Sequence, residues 1–102
     1  MRQGSDVAGA VMEMRRLIGR RVVVTLAVGE RPLCRFAMTL EDVDAEEELT
    51  LSGDYMDNGE AVHYSEANVP IPEEDGFVHW TTLGDEGRVE TSEDVQMVVA
   101  PL

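Results

Sequence analysis

Apolar residues recur every three or four positions at the start of the chain and every second position over most of the rest. Val7, Val11, Met14 and Ile18 are spaced four, three and four apart, which places them on one helical face. Ser5 is placed to cap that helix, with Asp6 at its positive end and Arg15 and Arg16 in its last turn. Gly19 sits where a left-handed residue ends a helix. The pattern therefore predicts an amphipathic helix over residues 6–18, weakened by Gly9. Residues 1–4 are expected to fray.

From Arg20 the period changes to two. Val22, Val24, Leu26 and Val28 share one face of a strand, and Arg21, Val23, Thr25 and Ala27 share the other. Apolar side chains on both faces predict a central strand or one covered by the helix. Gly29–Pro32 turns the chain into a second strand in which Cys34, Phe36, Met38 and Leu40 alternate with Leu33, Arg35, Ala37 and Thr39. The segment Leu17–Leu40 thus reads as the scaffold of the fold. Beyond it, Glu41–Glu48 places six acids in eight positions and is expected to be a solvated loop. Asp57-Asn58-Gly59 signals a hairpin turn. Pro70 and Pro72 make Ala67–Asp75 an extended, unpaired connection. Strands are expected at Gly76–Leu83, Arg88–Thr91 and around Val95, Met97 and Val99.

These elements predict one domain spanning residues 1–102, in the class α+β but mostly β. An N-terminal amphipathic helix would pack on a small antiparallel barrel, or strongly curved sheet, of five to six strands formed by residues 20–102. Residues 17–51 resemble the opening of an Sm-like barrel. That family also begins with a short helix, a glycine and a basic-hydrophobic strand, as in Leu17-Ile18-Gly19-Arg20-Arg21-Val22, followed by a turn, a second strand and an acidic corner. The resemblance implies a small barrel of the SH3/Sm type. It does not carry over RNA binding. The Asp-x-x-x-Asn signature has no match in Leu40-Glu41-Asp42-Val43-Asp44-Ala45, and Cys34 or Arg35 stands where a glycine is expected.

Charge alters this picture more than composition does. The net charge is −13, and all eight basic residues are arginine. Residues 1–35 hold seven arginines against three acids, a balance of +4. Residues 36–102 hold eighteen acids against Arg88 alone, a balance of −17. Such a chain repels nucleic acid and anionic membrane, and is steered toward basic surfaces. No apolar run is long enough to span a membrane. Residues 1–19 do not form a secretory leader, and the lone Cys34 allows no internal disulfide, so the cytoplasm is the expected compartment.

Candidate chemistry is sparse. The acidic run lacks the glycine and spaced glutamate of a calcium loop, so neither a metal nor a cofactor is assigned. Cys34, His63 and His79 show no zinc-ligand spacing, and Cys34 shares a face with Phe36 and Met38, which predicts a buried core thiol. No nucleophile elbow or phosphate loop is present, and no catalytic residue is assigned. The reading is a non-enzymatic acidic protein-binding module that inhibits a partner by covering its basic nucleic-acid-binding or catalytic surface, as nucleic-acid mimics, immunity proteins and antitoxins do. Its contact residues would be Glu41, Asp42, Asp44, Glu46, Glu47 and Glu48, with Asp54, Asp57 and Glu60 at the hairpin turn. One alternative is a homo-oligomeric structural or assembly protein built through sheet edges and the helix stripe. A second is a small barrel that binds a ligand at its mouth near Tyr64, His79 and Trp80.

Overall fold

A computed structural model describes residues 1–57, 60–72, 76 and 78–102, with the side chains of residues 55–64 outside the description. The chain runs β1 (Arg2–Gly4), α1 (Val7–Arg15), β2 (Arg21–Val28), β3 (Arg31–Ala45), β4 (Glu48–Asp57), β5 (Glu60–Pro70), β6 (Val78–Leu83), β7 (Glu86–Thr91) and β8 (Val95–Pro101). Among the described residues all eight strands belong to one sheet, in the order β1-β6-β7-β8-β2-β3-β4-β5, and every pairing is antiparallel. The sheet is not closed: β1 and β5 are its two edges.

The expected fold, a helix on a barrel or curved sheet of five to six strands, is therefore corrected to an open sheet of eight, and the small barrel implied by the Sm-like resemblance is not formed. Three local outcomes explain the difference. Residues 2–4 do not fray but pair with β6, Gly4 lying opposite Trp80. The acidic run does not loop out: Glu41–Ala45 extends β3 to 15 residues. Ala67, Asn68, Val69 and Pro70 are not an unpaired connection but pair with β4. Pro70 is accommodated because β5 is an edge strand that needs no partner on its outer side. These long strands stretch the molecule to 43 × 25 × 24 Å. The Asn58-Gly59 turn, and residues 73–75 and 77, lie outside the described residues.

A bulge decides how the acidic run is accommodated. Leu40 pairs with Gly53 and Asp42 with Ser52, so Glu41 is the extra residue. The extra residue shifts the alternation by one. Leu40 and Val43, three apart, are thereby both fully buried, while Glu41, Asp42 and Asp44 are exposed. The expected self-repulsion is avoided because Asp42 and Asp44 face Ser52 and Thr50 rather than other acids. Gly53 is required at this point, since a Cβ there would fall on the Thr39 carbonyl oxygen.

The helix is shorter than residues 6–18, and Asp6 rather than Ser5 caps it, accepting the Gly9 N–H at 2.9 Å. It lies on the inner face of the sheet against β3, β6 and β7. Ala10, Val11 and Met14 are buried there, and of the two residues in the turn past the helix Leu17 is buried while Ile18 is 42% exposed. Gly19 ends the segment at φ +89° and donates its N–H to the Leu40 carbonyl. The core continues through Val22, Val24, Met38, Leu51, Val89, Met97 and Val99, all fully buried. Each such side chain contributes on the order of 1.5–3 kcal/mol relative to exposure.

Candidate protein-binding surface

The acidic surface is built by β3, β4 and β5. On the outer face of these strands the register sets Asp42 beside Ser52 and Glu66, and Asp44 beside Thr50 and Asn68. The opposite positions, Val43, Leu51 and Ala67, point into the core. Strict alternation therefore presents Asp42 and Asp44 on one side, about 7 Å apart along the strand. Glu46 and Glu47 form the bend between β3 and β4, and Glu48 opens β4; all three are exposed. The bend is held by backbone bonds, Glu46 N–H to Glu48 C=O at 3.2 Å and Ile71 N–H to Glu47 C=O at 3.1 Å. Asp44 accepts the Ala45 N–H at 2.8 Å, and Thr50 donates to Asn68 at 2.7 Å. Together Asp44, Glu46, Glu47, Glu48 and Thr50 line a shallow concavity of about 400 Å³.

The structure gathers Asp42, Asp44, Glu46, Glu47 and Glu48 at one end of the β3–β4 pair. Glu41 sits at the bulge and Asp54 lies further along β4, opposite Thr39. Asp57 and Glu60 face each other in register across the β4–β5 hairpin, and their side chains lie outside the described residues. No ion pair reaches the acidic run among the described residues. The arginines go elsewhere: Arg2 and Arg16 each donate to Glu13 at 2.9 Å, and Arg20 pairs with Asp85 at 3.2 Å. Arg15 reaches β3, where it donates to the Val43 carbonyl at 3.1 Å.

Other candidates are displaced. Cys34 is exposed, not buried, because it lies toward the β2–β3 turn, beyond the part of the inner face that the helix and sheet enclose. His79 is exposed on the outer face of β6 and shares a 2.9 Å hydrogen bond with Ser5. The side chains of His63 and Tyr64 lie outside the described residues. Trp80 does not line a barrel mouth. It is buried at 8% exposure between Gly4 and Gly9, and its indole N–H donates to Asp6 at 3.1 Å. That hydrogen bond, then the Gly9 N–H, holds the Asp6 carboxyl below the ordinary aspartate range. Among the described residues no group of three or more His, Cys, Asp or Glu is arranged to hold a metal.

Two polar centres were not apparent from the sequence. Glu13 is a buried carboxylate clamped by two arginines, and the only hint was the Glu13–Arg16 spacing of three on a helix. The Asp6–Trp80 bond joins residues 74 apart and leaves no local trace. Among the described residues, no helix is long and apolar enough to cross a membrane. No protein-family model, curated protein or solved structure matches the chain.

Proposed function

We propose that this chain is a non-enzymatic binding module, acting in the cytoplasm, whose acidic face covers a basic surface of a protein partner. One observation carries the reading. Asp42, Asp44, Glu46, Glu47 and Glu48 are exposed together, and no arginine neutralises them among the described residues. A cluster whose counter-charge is not supplied internally has its electrostatic attraction available for a partner. Carboxylates at regular strand spacing on a rigid pair resemble a row of phosphates, the feature a nucleic-acid-binding groove recognises. Inhibition then follows from occlusion, with fast, salt-sensitive association.

The test titrates an arginine-rich peptide against the protein by calorimetry, with the fivefold neutralised variant (Asp42→Asn, Asp44→Asn, Glu46→Gln, Glu47→Gln, Glu48→Gln) alongside. Affinity should fall roughly tenfold or more from 50 to 200 mM salt, and the variant should bind at least tenfold more weakly at the lower salt. Equal binding by variant and parent, or affinity indifferent to salt, would sink the proposal.

A further inference from the structure

The helix and the far end of β3 enclose a groove beside the acidic surface. Among the described residues β2 pairs with β3 only as far as Thr39, whereas β3 runs on to Ala45 with β4 along its other side. α1 packs against β3, and Arg15 reaches from it to the Val43 carbonyl. Between helix and overhanging strand lies an open groove of about 370 Å³, lined by Val7, Ala8, Val11, Met12 and Ala45. Met12 is 68% exposed, and Ala8 is exposed as well. Arg15 and Asp44 complete the wall. Asp44 also lines the concavity that holds Glu46, Glu47 and Glu48, so the groove and the acidic surface adjoin.

We infer that this groove receives an apolar side chain of the basic partner, an inference that rests on the acidic surface proposed above. The occupant is a basic segment with an apolar anchor, not a run of arginine and lysine alone. Two observations define it. Arg15 lines the groove and has no carboxylate partner among the described residues, so a second cation is repelled there and an uncharged side chain fits. Glu46, Glu47 and Glu48 sit in the adjoining concavity, where arginines or lysines next to the anchor meet carboxylates. The carboxylates attract from a distance, while Val7, Val11 and Met12 supply apolar contact area. An anchor seated in a pocket beside a polar rim is the arrangement in which a few residues carry most of the binding energy.

The two contributions respond differently to salt. Screening weakens the attraction of arginine for the carboxylates, while burial of an apolar side chain is unaffected or strengthened. Calorimetry on the full chain, at 50 and 200 mM salt, compares a peptide of arginine, glycine and serine with a set of equal charge in which one leucine takes each glycine position in turn. The best leucine peptide should bind about tenfold tighter than the glycine peptide or more, the effect of burying most of one leucine. That ratio should hold at both salt concentrations. Met12→Ser and Ala8→Gln should each lower it about threefold or more. Both side chains are exposed, and circular dichroism checks that each variant folds. In the parent chain the Met12 methyl resonance should shift with the best leucine peptide, a reading that needs no substitution. Equal binding of the glycine and leucine peptides at every position would overturn the inference and leave the acidic surface standing. A leucine gain that survives both substitutions with an unmoved Met12 methyl would overturn it too, as would a leucine peptide without arginine that binds as tightly as the basic one. Binding by none of the basic peptides would overturn both proposals.

Discussion

The two ends of the sheet reach order by different means. At the β1–β6 end, particular polar groups and close approaches hold the structure: Trp80 fits between Gly4 and Gly9, Asp6 joins the indole to the helix cap, and Glu13 binds two arginines. At the β3–β5 end, order comes from alternation, two register shifts, at Leu40/Asp42 and Tyr55/Met56, and one close-approach glycine. The difference explains where the acids collect. The first end uses its charged groups internally. The second is specified by Leu40, Val43, Leu51, Ala67 and Val69 on the inner face, so its outward positions carry charge without structural duty. Surface positions of that kind change stability by about 0.5 kcal/mol or less when substituted.

The strongest way to break this contrast is at the bulge. Gly53→Ala places a methyl on the Thr39 carbonyl oxygen, a backbone atom that cannot move without opening the β3–β4 register. The expected loss is about 3 kcal/mol, read as a lower midpoint in chemical denaturation. A loss under about 0.5 kcal/mol would show that the β3–β5 end does not depend on this close approach.

Gly9→Ala probes the opposite end and has a diagnostic sign. Alanine in a helix ordinarily adds up to about 1 kcal/mol over glycine. Here its Cβ would lie 2.6 Å from both the Asp6 Oδ1 and the Trp80 Nε1. Crowding should outweigh propensity and leave a net loss of about 1–2 kcal/mol. Stabilisation by this substitution would show that the Trp80 site yields easily and that the two ends are more alike than argued.

The smallest effect sharpens the role of Asp6. Its carboxyl is held low in the folded state by the Trp80 and Gly9 hydrogen bonds. The stabilisation it gives is present above the ordinary aspartate range and is lost as pH falls through the lowered folded value, a window below about pH 4. Asp6→Asn should therefore flatten the acid limb of the stability profile in that window and leave its shape at neutral pH unchanged. Identical acid limbs in parent and variant would show that the Asp6 hydrogen bonds to Trp80 and Gly9 do not stabilise this end.

Local patterns in the chain determined much by themselves. The period of three to four placed a helix near the start. Alternation in Arg21–Val28 showed apolar residues on both faces of a central strand, which the sheet order bears out. The turn at Gly19 needed only the residue and its place. The charge division, +4 against −17, is likewise a property of the chain alone.

Tertiary structure decided the rest, because the deciding interactions join distant residues. Whether Arg2–Gly4 frays depends on the β6 edge, 76 to 80 residues later. Whether an acidic run loops out or pairs depends on what lies opposite, and here Ser52 and Thr50 do. The bulge at Glu41, which turns the carboxylates outward while burying Val43, exists only in the pairing with Gly53 and Ser52. The open sheet is decided in the same way: closure requires its two edges to meet, and no local pattern states that they do not.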